Sequence, residues 1–205
     1  MKIDLRSDKP LDEATTWLET GRTAEDWFAL LDTLGGPDLG RQAIGDHLRA
    51  EFALDPWWID TLLVEYERAR GAKETDGRAL GYAIDVERRI DASPRACFDA
   101  FATGAALDHW FGTDNEIDFR DGGAWANADG NRAVLRKVVA PKSIVLTWHQ
   151  SDAAPNTPVE LHFVAAGNAT DVKVMQERLQ TRPEADGLRR AWSEALARLQ
   201  ATLDT

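Results

Sequence analysis

The groups in this chain that could do chemistry are few: four histidines, one cysteine and a set of turn carboxylates. Catalysis needs a positioned nucleophile or an acid–base pair. The tightest such grouping is Asp108-His109 with Asp114 close behind. An Asp–His couple there would move protons at the surface of the fold. Neighbouring side chains on a turn diverge, however, so the competing reading is an ordinary solvated surface. Cys97 has Phe98 and Phe101 beside it at helical spacing, which suits a buried and inert thiol better than a reactive thiolate. The remaining histidines, His47, His149 and His162, fall in no HExxH or comparable ligand spacing. A single cysteine excludes an intrachain disulfide and a cysteine-built zinc site. No metal and no cofactor are expected, and no catalytic residue is assigned. A G-x-S-x-G elbow, a P-loop and a dinucleotide fingerprint are all absent.

Composition narrows the partners. The 205 residues are 43% hydrophobic and carry a net charge of −11. Nucleic-acid binders present a basic face that neutralises phosphates. Here Lys and Arg are scattered among acids, so neither nucleic acid nor an anionic membrane is an expected partner. No run approaches the roughly 18 consecutive apolar residues of a membrane span. MKIDLRSDKPLDE has no apolar core of the signal-peptide kind, and the expected location is cytoplasmic.

The elements that must position these groups fall into two segments. Residues 1–75 read as a small helical domain. Gly21 is placed to cap a first helix over Leu11–Glu19. Thr23 with Asp26 resembles a capping box opening the next, whose apolar face is Trp27, Leu30, Leu31 and Leu34. After Gly35-Gly36-Pro37, Asp38 is the expected cap of a helix carrying Ile44, Leu48 and Phe52. Asp55-Pro56 then starts a helix with Trp58, Leu62 and Tyr66 at steps of four. Trp57 and Trp58 are adjacent and cannot both face one core squarely, so exposure is expected there. That exposure motivates two roles for these helices, covering a cavity mouth or forming a homodimer contact. Residues 71–80 are polar and glycine-containing, as a linker is.

From Gly81 the period changes to two. Tyr82–Ile90 alternates as a strand. Ser93-Pro94 opens a helix with Cys97, Phe98 and Phe101 on one side, and a second short helical turn ends in His109-Trp110-Phe111. Asp121-Gly122-Gly123 and Asp129-Gly130 are turn signals between short strands. Ser143–His149, the stretch around Val159, Leu161 and Phe163, and Thr170–Arg178 alternate again. A long helix from Pro183 to Leu203 carries Leu188, Trp192, Leu196 and Leu199 on one stripe. The order is one strand, two short helices, six strands and a long helix, with hairpin turns making consecutive strands antiparallel. The expected class is α+β.

The run IDASPRACFDAFATGAALDHWFG, then DFRDGGAW, DGN and IVLTWH, and a final long helix with a central Trp, resembles the activator of heat-shock-protein-90 ATPase homologue domain. That family lies within the START-like superfamily. The resemblance covers residues 80–203 and implies a helix-grip architecture: an antiparallel sheet wrapped on the C-terminal helix, here a domain of residues 76–205. TGRTAEDWFALLD and LDPWWIDTLLVEYERARG resemble a small helical domain of unknown function found in front of such domains. Nothing in residues 1–75 resembles the second, chaperone-engaging domain of the eukaryotic co-chaperone. A chaperone partner therefore has no residue to support it.

In START-like proteins the space between sheet and helix holds largely apolar small molecules. The resemblance thus implies non-enzymatic binding of a small apolar or amphipathic ligand. By strand parity the candidate lining is Phe119, Trp125, Leu146, Trp148, Leu161, Phe163, Val172, Val174 and Gln176, with Trp192 from the helix. Trp110 and Phe111 sit at the mouth. The competing expectation is that these side chains fill the space as a solid core. Gln176 needs partners for its buried amide, either a ligand or a neighbouring side chain. Arg132 or Arg136 facing inward would suit a carboxylate ligand, but parity there is undetermined. Two further readings stay open: a protein-interaction module, chaperone-linked or otherwise, and an enzyme of cyclase or hydrolase type acting at the mouth.

Overall fold

The computed structural model describes residues 1–151 and 153–204, and the last position of the expected second domain, Thr205, lies outside them. The chain forms two compact units, one of Ser7–Tyr82 and the other of Met1–Arg6 with everything from Ala83 onward. The first six residues thus belong to the second unit. Among the described residues no helix is long and apolar enough to cross a membrane.

The helical unit comprises α1 (Glu13–Thr20), α2 (Ala24–Thr33), a 3-10 turn (Gly36–Leu39), α3 (Arg41–Phe52) and α4 (Pro56–Ala69). Thr23 and Asp26 close the capping box at the start of α2, and Asp55 caps α4 ahead of Pro56. Asp38 does not cap α3. It is taken up in the 3-10 turn, and Gly40 at φ 82° precedes the helix without a side-chain cap bond. The apolar faces meet in a core of Trp27, Leu31, Ile44, Leu48, Ile59, Leu62 and Tyr66 among others.

Trp57 and Trp58 correct the expected exposure, because both are buried, at 8% and 1%. The two rings stack edge to face with centroids 4.9 Å apart. Lys9 places its ammonium 5.8 and 5.9 Å from their centroids, and Glu19 accepts the Trp58 indole N–H at 3.1 Å. Adjacent indoles are thus accommodated by turning one against the other, and the reason for expecting a docking patch there falls away.

The second unit begins with β1 (Tyr82–Ile90), then α5 (Pro94–Asp99) and α6 (Gly104–Asp108). Six strands follow: β2 (Glu116–Ile117), β3 (Ala124–Ala126), β4 (Arg132–Val139), β5 (Ser143–His149), β6 (Thr157–Ala166) and β7 (Ala169–Leu179). Helix α7 (Arg182–Leu203) ends the fold. One seven-stranded sheet runs in the order β1-β7-β6-β5-β4-β3-β2, with antiparallel hairpins from β2 through β7. The fold is α+β and helix-grip, as expected. Parity places the inward residues side by side: Leu146 opposes Val159, Leu161 opposes Val174, and Val159 opposes Gln176. A bulge between Leu135 and Lys137 breaks the alternation in β4. Arg132 and Arg136, which alternate with the buried Ala133 and Leu135, are both exposed, and Arg136 donates to the Thr147 hydroxyl at 3.2 Å. Neither faces the interior.

Helix α5 packs on β6 and β7, and α7 packs on β7. Thr181 and Glu184 form a capping box that starts α7, with Pro183 in its first turn. Between helices and sheet the aromatic side chains touch in series. Phe119 meets Phe98, Phe98 and Phe101 meet Phe163, and Phe101 meets Trp110. Trp110 meets Phe111, whose ring lies 4.5 to 5.8 Å from Trp125, Trp148 and Trp192. Three of the four indoles donate their N–H: Trp110 to the Ala100 carbonyl, Trp125 to Asn115 and Trp192 to Gln176. The Trp148 N–H has no acceptor among the described residues.

Replacing a bonded indole by phenyl strands its acceptor, whereas replacing Trp148 strands nothing. Trp192→Phe should therefore destabilise the sheet unit by about 1–2 kcal/mol more than Trp148→Phe in urea unfolding. In the helical unit, hydrogen bonds from Arg70 and then Tyr66 lower the Asp32 carboxyl from 3.8 to about 2. A depressed carboxyl stabilises the fold fully above its unfolded value and loses that contribution as pH falls through the folded one. Melting temperatures at about pH 5 and about pH 2.5 should accordingly differ less in Asp32→Asn than in the wild type.

Candidate functional site

The groups singled out for chemistry gather around the end of α6. Thr103 caps that helix by accepting from Ala106 N at 3.2 Å. Gly104 can only be glycine, because a Cβ there would lie 1.9 Å from the Asn115 carbonyl oxygen. The absence of a side chain there lets the loop carrying Asn115 come back against α6. Asn115 is the hinge pin: its N–H and side-chain amide both donate to Asp108 Oδ1, at 2.9 and 2.8 Å. Its own Oδ1 accepts from Trp125 Nε1 at 3.0 Å.

Those bonds settle what Asp108 does. Hydrogen bonds from the Asn115 backbone and side chain hold its carboxyl below the usual aspartate value, so it stays ionised and braces the loop. His109 is exposed. Asp114 takes a left-handed φ of 54° and is not among the residues lining the nearby concavity. The three groups are not assembled as an acid–base set. Cys97 is buried, and burial pushes its thiol up. His162 lies 3.2 Å from Glu160, and among the described residues no three His, Cys, Asp or Glu side chains gather as metal ligands would.

The expected ligand-lining residues divide into three sets. Trp125, Leu146, Trp148, Leu161, Val172, Val174, Gln176 and Trp192 are all buried between sheet and helix. There the tryptophan rings contact one another, Trp125 to Trp148 at 5.7 Å and Trp148 to Trp192 at 5.8 Å. Gln176 is satisfied by the protein: it donates to the Thr157 hydroxyl at 2.9 Å and accepts from Trp192 at 3.0 Å. Phe163 is buried against Phe98 and Phe101. Phe119 lies beyond the end of β2, half-buried, with its ring 5.4 Å from Phe98.

Trp110 and Phe111 are buried too, at 2% and 0% exposed, but they lie at the edge of the aromatic series. They help line a concavity of about 420 Å³, a size within the range of small-molecule pockets. Its walls are Asp108, His109, Gly112 and Thr113 from the α6 loop, Glu194 and Arg198 from α7, and Asp129 from the turn before β4. Met1 and Lys2 complete it. Arg198 Nε donates to the Trp110 carbonyl at 2.7 Å, which joins α7 to the loop. The Met1 amine lies 2.6 Å from Asp129 Oδ2, and Asn131 Nδ2 donates to the Met1 carbonyl at 2.7 Å. Sequence reasoning named Trp110, Phe111, Asp108 and His109 of these walls but not Lys2, Asp129, Glu194 or Arg198. Glu194 and Arg198 are one turn apart on the polar flank of an amphipathic helix, and nothing local distinguishes them from solvated charges.

Several known proteins share this architecture. The family described as Activator of Hsp90 ATPase homolog 1-like protein matches residues 91–204. The crystal structure of CalU16 from Micromonospora echinospora superposes with a TM-score of 0.55 at 19% identity, over 60% of this chain and 76% of that one. An HSP90 activator from Plasmodium falciparum gives 0.52 at 19% identity, over 60% of this chain and 96% of that one. The Aha1 dimer from Colwellia psychrerythraea gives 0.53 at 19% identity, over 59% and 95%. No curated protein matches the sequence. At such identities the structures speak for the fold alone, while the match over residues 91–204 spans more than half of the sequence. The chain therefore belongs to the Activator of Hsp90 ATPase homolog 1-like family.

Proposed function

We propose that the sheet unit binds a small amphipathic molecule without transforming it, and that the ligand sits at the mouth beside Trp110 and Phe111. The observation that carries this reading is the concavity of about 420 Å³ set against the end of the aromatic series. The tryptophan rings farther in already contact one another. A ligand placed among them would have to part rings that pack at native separations, at the expense of their mutual contacts. At the mouth only the Met1–Lys2 tip would have to give way, and the ring contacts would stand. The apolar part of the ligand would lie along Trp110 and Phe111, and its polar end would meet the polar rim of His109, Glu194 and Arg198.

The magnitudes suit a modest affinity. Covering about 150 Å² of apolar surface yields roughly 4 kcal/mol before ordering costs. Charged contacts at the rim would bring dissociation constants into the range of about 10–100 μM. The bracing of Asp108 by Asn115 supports binding over acid–base chemistry at the same place.

Anilinonaphthalene sulfonate (ANS), an amphipathic anion, is a direct probe. Titration of the full chain should show saturable binding of one equivalent. Thr113→Trp alters an exposed wall residue and should fill part of the concavity. It is expected to weaken ANS binding at least tenfold with an unchanged circular dichroism melt. Equal affinity in Thr113→Trp and wild type would remove the mouth as the site.

A further inference from the structure

The segment Met1–Arg6 is neither strand nor helix, yet it packs with the sheet unit. Dedicated features hold it there. Arg190 donates to the carbonyls of Asp4 and Arg6 at 3.2 and 2.7 Å. Asn131 holds the Met1 carbonyl. The Met1 side chain is 2% exposed.

Two glycines with ordinary φ make room for the same segment. A Cβ on Gly187, in the interior of α7, would lie 2.4 Å from the Asp4 carbonyl oxygen. A Cβ on Gly112 would lie 2.5 Å from the Met1 nitrogen. Glycine inside a helix is less favourable than alanine, so Gly187 carries a local cost that the docked segment explains. The tip of the segment, Met1 and Lys2, forms part of the wall of the mouth.

We propose that residues 1–6 are a strap that gates this mouth in cis. Docked, its tip occupies space beside Trp110 and Phe111. Released, it widens the concavity and uncovers the end of the aromatic series. The inference rests on the reading of the mouth as a ligand site, and it adds the regulation of that site. The strap is held by a few side-chain-to-backbone hydrogen bonds, the ion pair of the Met1 amine with Asp129 and one buried side chain, with no ladder or helical bonds of its own. Segments held in this way open locally, without global unfolding. A ligand that binds the open mouth better than the closed one shifts the strap outward, and release of the strap tightens the ligand by the same factor.

Gly187→Ala separates strap from scaffold, because its methyl would displace Asp4 while favouring the helix. Arg190→Ala, at a half-buried position, removes the donor of both hydrogen bonds by another route. Trypsin cleavage after Arg6, followed by intact mass, reads strap release, and ANS titration reads the mouth. Both variants should be cut at least tenfold faster than the wild type and should bind ANS at least threefold more tightly. Saturating ANS should also speed cleavage of the wild type at Arg6. Faster cleavage with unchanged ANS affinity would sink the gate and leave the ligand site standing. Unchanged cleavage in both variants would show that these contacts do not hold the strap, and would overturn the proposal as well. Absence of ANS binding in all three proteins would sink the ligand site and the gate together.

Discussion

Phe111 touches Trp110, Trp125, Trp148 and Trp192 at once. Those residues come from the α6 loop, from strands β3 and β5 and from helix α7. A single phenyl ring is therefore the point where loop, sheet and terminal helix meet. It can sit there because glycine at position 104 lets the loop come back over α6 and Asn115 pins it. The rest of the sheet unit inherits this arrangement. The helix is held against the sheet by Trp192, and Trp192 is oriented by a chain of hydrogen bonds through Gln176 to Thr157.

The same ring sets the boundary between core and site. On one side of Phe111 the indoles pack against each other and against aliphatic strand residues. On the other the loop, α7 and the strap leave a concavity with a charged rim. Between sheet and helix of this chain, aromatic side chains occupy the interior. The functional reading accordingly moves to the end of that space. There, Arg198 bonding to the Trp110 carbonyl keeps helix and loop in fixed relation.

Much of the fold was legible because burial imposes a period. Tyr82–Ile90 and Ser143–His149 read as strands from alternation alone, and the structure has β1 and β5 at those bounds. The inward direction of Gln176 followed from its parity with Val172 and Val174, and it is fully buried. The helix starts at Thr23 and Asp55 followed from cap chemistry, which is local. Reading failed where the determining contact was distant or the period broke. The consecutive apolar run Ala133-Val134-Leu135 left the parity of Arg132 and Arg136 undecided, and β4 is bulged just after it. Trp57 and Trp58 looked exposed because the ring-on-ring stack and the Lys9 cover are not visible in a helical wheel. Gly40 displaced Asp38 as the residue before α3 because the 3-10 turn absorbed the aspartate. The strap was least legible. Residues 1–6 have no period, and their partners Arg190, Gly187 and Asn131 lie more than a hundred positions away.

The claim that the interior is filled and the ligand site lies at its mouth can be read from the tryptophans themselves. Fluorine NMR of the full chain labelled with fluorotryptophan would resolve Trp110 from Trp125, Trp148 and Trp192 once each is assigned by substitution. On addition of ANS, the account predicts that the Trp110 resonance moves progressively to saturation while the other three stay in place. Shifts of comparable size at Trp148 and Trp192 would contradict it, because they would put the ligand between the sheet and the helix.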